Sequence, residues 1–213
     1  MKILLIQPHS DDIVLSCFNQ ILKEENEVTI LTIEHSERRH LEDKKLQDFF
    51  PNLTIKRGLE FEDFSYKKYY ENDSRKKFNP FEAVSLIESE LGKENIDKIK
   101  NLIDGTIEEG FDEIYTCMGI GHPLHQLVYK LSKGKATHLY RDWPHSYKAR
   151  NISYYKYQKE ELLKVEPELI GDEDFLQLKE QIFCGVYKSQ SGLAFYERGH
   201  MKKHFQDEIY KVK

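Results

Sequence analysis

A short apolar run, Lys2–Ile6 (KILLI), breaks directly into Pro8-His9-Ser10-Asp11-Asp12. More than a hundred residues later a second run, Phe111–Cys117 (FDEIYTC), breaks into Gly119-Ile120-Gly121-His122-Pro123-Leu124-His125. After each cluster the apolar residues recur at helical spacing: Val14, Phe18, Ile21 and Leu22 in the first case, Leu127, Val128 and Leu131 in the second. Buried strand, polar turn, amphipathic helix, twice over, is the pattern of an α/β sheet. Between the two clusters, Glu27–Ile33 (EVTILTI) and Asn52–Lys56 (NLTIK) read as strands. They flank a helix that Ser36 caps and Pro51 ends, with Leu41, Leu46 and Phe49 expected to point inward. Strand–helix–strand–helix–strand is half of a doubly wound sheet. Phe111–Cys117 then supplies a fourth strand and Ala136–Tyr140 (ATHLY) a fifth. Helical stretches are expected from Pro80 through Leu91, from Ile96 to about Glu109 with Gly110 ending it, and from about Glu173 to Val186. Asp207–Val212 is expected to add an edge strand, and Gly58–Asn79 shows no clean period and reads as an irregular functional loop.

In a sheet of this kind the winding direction reverses beside the first strand. The loops at the carboxyl ends of the strands on either side of the switch form a crevice. The first strand leads to His9 and the Asp11-Asp12 pair, the fourth to His122 and His125, so the topology brings two distant clusters to one place. Two imidazoles and a carboxylate around a divalent metal, with one position left open, is a common hydrolytic arrangement. A spare carboxylate can then take a proton from water, and a spare histidine can stabilise an oxyanion or protonate a leaving amine. The clusters contain one carboxylate and one histidine beyond such a ligand set.

Composition narrows the possible partners. A net charge of −5 over 213 residues, with Lys and Arg interleaved among Glu and Asp, gives no footprint for nucleic acid. KILLI is too short for a signal-peptide core or a membrane span. The three scattered cysteines, Cys17, Cys117 and Cys184, show no CxxC spacing, which suits reduced thiols and a cytoplasmic location.

The chain resembles the LmbE-like, or PIG-L, zinc-dependent de-N-acetylases. Their first motif, (A/P)HPDDE or PHxDDxxLS, stands here as PHSDDIVLS, and their HPDH stands as HPLH. Further similarities are Arg39-x-x-Glu42, Asp63, Tyr140-Arg-Asp-Trp-Pro144 and Lys188-Ser-Gln190. The resemblance implies one Rossmann-like α/β domain over residues 1–213. Its implied metal ligands are His9, Asp12 and His125, holding Zn2+ or another divalent ion such as Fe2+. It also implies Asp11 as general base, His122 as oxyanion stabiliser or acid, and Arg39 and Asp63 as substrate contacts. The implied reaction removes an N-acetyl or other acyl group from an amino sugar or related small molecule, the sort of step found in glycolipid, thiol and antibiotic pathways. Ile13 replaces the frequent Glu after Asp-Asp, and Leu124 replaces the Asp of HPDH, removing an acidic neighbour that would set the basicity of an imidazole. Those two departures leave open a non-catalytic member that binds a sugar or a protein partner, and also a metal-dependent hydrolase of another small-molecule bond.

Other residues read more plainly. Gly119 and Gly121 form a lone GxG that serves a tight backbone turn rather than a dinucleotide. Cys117 reads as a strand packer. His200 and His204, four apart within HMKKH, read as a solvated helix face. The aromatics of the 58–79 loop, and Trp143, stack on a sugar, make a protein interface or pack on the domain itself.

Overall fold

The computed structural model describes residues 1–34, 36–60, 83–147, 151–159, 166–190 and 205–212. A seven-stranded sheet runs in the order β3-β2-β1-β4-β5-β7-β6. Its strands are β1 (Lys2–Gln7), β2 (Glu27–Glu34), β3 (Leu53–Leu59), β4 (Glu113–Cys117), β5 (His138–Tyr140), β6 (Glu168–Ile170) and β7 (Asp207–Lys211). The five strands from β3 to β5 pair in parallel, and β7 lies antiparallel to both β5 and β6. The chain winds outward from β1 through β2 to β3, then returns to the other side of β1 as β4. That reversal is the switch point the sequence pattern calls for. Residues 3–7 of β1 are all buried, as a strand covered on both faces must be.

The apolar rhythm after β1 is not one helix. It is α1 (Asp12–Ser16) and α2 (Asn19–Leu22), broken at Cys17, whose backbone leaves the helical region. Val14, Phe18 and Ile21 are nevertheless all buried. The long helix α4 (Ala83–Ile107) is likewise interrupted, at Gly92, where φ is +70°. A side chain would resist that conformation.

Helix α3 (Glu37–Phe49) buries only part of the face its hydrophobicity suggests and is rotated towards its acidic residues. Leu46 is buried, but Leu41 is 53% and Phe49 61% exposed, while Glu42 and Asp43 are buried. Polar partners from distant segments, described below, decide this orientation.

β7 is not an edge strand. β6, three residues that follow Pro167 and that the sequence did not announce, takes the edge outside it. β7 is held by a buried ion pair: Lys179 of α7 (Glu173–Val186) places Nζ 2.7 Å from Asp207 Oδ1, and Asp207 Oδ2 accepts the backbone N–H of Asn19 at 2.7 Å. Burial pushes the carboxyl up and the ammonium down, each opposed by the other.

In β3, Gly58 lies so close to β2 that a Cβ there would come within 2.0 Å of the Ile33 carbonyl oxygen and 2.4 Å of the Thr32 carbonyl oxygen. Backbone cannot retreat as a side chain can. Gly58→Ala is therefore expected to destabilise the fold by about 1–3 kcal/mol, the usual cost of overpacking, read as a lower midpoint in urea.

Among the described residues no helix is long and apolar enough to cross a membrane.

Candidate metal centre

The residues that follow β1 and β4 meet above the carboxyl end of the sheet. His9 Nδ1 lies 3.1 Å from His125 Nε2, and Asp12 Oδ2 lies 3.3 Å from the first and 3.4 Å from the second. Donors bound at ~2.0–2.1 Å around a tetrahedral zinc stand about 3.3 Å apart. This triangle of two nitrogens and one oxygen thus has the size and the donor chemistry of one face of such a site. His9, His122 and His125 also form a group whose ligand atoms lie within 4.8 Å of one another.

His125 is aimed from behind, and Asp12 is held by its own turn. His125, in the first turn of α5 (Pro123–Ser132), is fully buried and its Nδ1 is 2.5 Å from Asp142 Oδ1. Nδ1–H donates to the carboxylate, which leaves the Nε2 lone pair facing the triangle. The other Asp142 oxygen accepts the Ile120 backbone N–H at 3.1 Å. Asp12 accepts the His9 backbone N–H at 2.8 Å, so the turn folds its own carboxylate into place. Gln7 Oε1 accepts the Ile13 N–H at 3.0 Å and ties the start of α1 back to β1.

The adjacent carboxylates differ. Burial pushes Asp12 up, but His125 and His9 outweigh it and hold the carboxyl below its ordinary value. Burial, then the neighbouring Asp12, push Asp11 up, against Arg39 and His9. Asp11 is the N-cap residue of α1, yet its side chain makes no capping bond. Two neighbouring carboxyls are thus pushed in opposite directions by their surroundings.

His122 caps α5: its Nδ1 accepts the Leu124 N–H at 3.3 Å. In the neutral ring Nε2 then carries the hydrogen and is a donor. Its ring stands edge-on to His9 with centroids 4.9 Å apart. Leu124 sends its side chain into the core and offers His122 its backbone N–H. Gly119 and Gly121 have φ of +72° and +80°, and a Cβ on Gly121 would meet Asn151 Nδ2 at 2.1 Å. The GxG is there for turning and close approach.

Arg39 lies in the first turn of α3, near enough to pull the Asp11 carboxyl down, with Nη1 3.0 Å from Glu34 Oε2. Asp63, His200 and His204, and most of the 58–79 loop with its aromatics, lie outside the described residues. Cys117 is fully buried, its Sγ donating to the His125 carbonyl at 3.3 Å, and burial pushes its thiol well up. It groups with His125 and Asp142 as a second set of ligand-type atoms within 4.8 Å of one another. Trp143 is 3% exposed and packs on Phe205.

Sequence reasoning assigned no role to Asp142 or to His145, although Asp142 stands in the quoted Tyr140–Pro144 segment. His145 brings its ring to 4.9 Å from that of His125 and 5.6 Å from that of His122. The available signal was position: both follow β5, the next parallel strand beyond β4, at the same end of the sheet.

Asp142→Asn keeps the shape but gives His125 Nδ1 a weaker acceptor. Metal affinity is expected to fall ~10–100-fold, read by competition with a chelator.

No protein-family model and no curated protein sequence matches the chain. Among solved structures it is similar over 99% of its length, and over 97% of theirs, to a deacetylase from the teicoplanin biosynthesis pathway in complex with teicoplanin (TM-score 0.61, 16% identity). The same holds for a deacetylase–bog complex from that pathway (0.60, 17%) and for the zinc-inhibited form of teicoplanin deacetylase Orf2 (0.57, 16%). At these identities the likeness establishes the shared α/β fold.

Proposed function

We propose that this chain is a metal-dependent hydrolase that removes an N-acetyl or other N-acyl group from an amino sugar or glycoconjugate, with His9, Asp12 and His125 as the metal ligands. The observation that carries the reading is the donor triangle with edges of 3.1, 3.3 and 3.4 Å beside an unequal carboxylate pair. Support comes from the fold shared with deacetylases of the teicoplanin pathway, one of them described in a zinc-inhibited form.

A divalent ion bound there supplies Lewis acidity and makes water a better nucleophile near neutral pH. The chain's own groups do the rest. Asp11, with its raised carboxyl, takes the proton from the attacking water. The Nε2–H of His122 faces the charge that develops on the amide oxygen and stabilises it by hydrogen bonding. As the C–N bond breaks, the amine nitrogen must gain a proton, and protonated Asp11 returns the one it took. Arg39 and Asp63 are assigned to the substrate, Arg39 with its guanidinium oriented by Glu34.

The test is acetate release from a panel of N-acetylated amino sugars and glycoconjugates with zinc- or iron-loaded protein. Free amine and acetate in equal amounts are expected from at least one substrate. Hydrolysis confined to esters or phosphates would replace the amide reading with that of another bond.

A further inference from the structure

Within the turn from His9 to Asp12, Ser10 is the residue with no part in the ligand set or the proton transfer. Its hydroxyl leaves the site: Ser10 Oγ donates to Asp43 Oδ2 on α3 at 3.1 Å. The other oxygen of that carboxylate accepts the hydroxyl of Tyr187, just beyond α7, at 3.1 Å. All three residues are buried, at 2%, 3% and 0% exposure. Next to Asp43, Glu42 accepts both the N–H and the hydroxyl of Ser189 at 2.8 and 2.7 Å.

A carboxylate buried against neutral hydroxyls is a costly way to pack a helix. Burial pushes Asp43 up to about 7, against the pull of the Ser10 and Tyr187 hydrogen bonds. Leu41 and Phe49 were available on the same helix for apolar packing and are turned to solvent instead. The orientation of α3 is thus set by what Asp43 and Glu42 hold, and what Asp43 holds is the turn between two donors of the triangle.

We propose that Asp43 is a positioning residue for the metal site: through the Ser10 hydroxyl it fixes the turn carrying His9 and Asp12 and so pre-arranges their donor atoms for a divalent cation. The inference rests on the reading of that turn as metal-binding. It assigns α3 a part in the site that does not involve touching metal or substrate. In this view the required property of residue 43 is an acceptor aimed at Ser10.

The experiment measures the Zn2+ dissociation constant by competition with a chromophoric chelator, alongside the thermal midpoint of each metal-free protein. Ser10→Ala and Asp43→Leu are each expected to weaken zinc binding ~10–100-fold, as loss of an outer partner of a metal ligand does. The double variant should be about as weak as either single one, because both remove the same bond. Asp43→Asn keeps an acceptor for the hydroxyl and should stay within about threefold of wild type.

A merely structural role would lower the metal-free midpoint and leave zinc affinity where it was. Affinity within twofold of wild type in both Ser10→Ala and Asp43→Leu overturns the proposal. So does an Asp43→Asn variant as weak as Asp43→Leu, since the acceptor would then not be what matters. If Asp43→Leu does not fold, Ser10→Ala, which removes a single oxygen, decides. Wild-type protein that takes up no zinc overturns the metal reading with it, whereas tight wild-type binding and unaffected variants remove the positioning role alone.

Discussion

His125→Ala is expected to abolish zinc binding: after loading with zinc and desalting, wild type should keep about one equivalent and the variant close to none. His125 supplies the corner of the triangle that closes against both other donors, at 3.1 Å from His9 Nδ1 and 3.4 Å from Asp12 Oδ2. It is also the donor that α5 contributes, so without it the remaining pair comes from a single turn. The loss should exceed the ~10–100-fold expected for Asp142→Asn, because a ligand is removed and not merely its support. Removing the ring also leaves Asp142 buried without the Nδ1–H it accepts, so the variant's circular dichroism should be checked against wild type. A folded variant that retains a full equivalent of zinc would show that the two histidine clusters do not share a metal.

Asp11→Asn produces the opposite dissociation of effects. Metal content should stay at wild-type level while turnover falls ~10²–10⁴-fold, the usual contribution of a positioned general base. Asn has the shape of Asp but cannot accept a proton into its side chain. The neighbouring Asp12, the proposed ligand, is untouched by the substitution and is drawn down by His125 and His9. The expectation follows the opposite directions in which the two carboxyls are pushed: burial and the Asp12 charge raise Asp11, and two imidazoles hold Asp12 down. Unchanged turnover would remove Asp11 from the proton-transfer step. Loss of metal along with activity would move Asp11 into the ligand set.

What could be read in the sequence was whatever a contiguous stretch carries. KILLI followed by His9-Ser10-Asp11-Asp12 puts strand, turn and donors in one line. The alternation of strands and helices then fixes where the second histidine turn must lie. Asp142 carried only the signal of its position after β5, because its role exists through space, as the acceptor for a ring on α5. α3 was misjudged for a related reason. Hydrophobicity favours burying Leu41 and Phe49, but Ser10, Tyr187 and Ser189, distant in sequence, reward the acidic face instead. The edge assignment of β7 failed because β6 is only three residues long and follows a proline, too little pattern to announce a strand.

The place of β7 in the sheet bears on how the chain must be made. Every donor proposed for the site, and Asp142 behind them, has been synthesised by the time β5 emerges. Yet among the described residues the second neighbour of β5 is Asp207–Lys211, which is also the strand that β6 pairs with. At about 5–20 residues per second, the 67 residues that separate Arg141 from its partner Glu208 correspond to roughly 3–13 s of translation. For that interval the nascent sheet presents an open strand edge, the kind of surface on which unfinished chains aggregate. A ribosome stalled before residue 207 would have made every donor proposed for the site while β5 still lacked β7 as its neighbour.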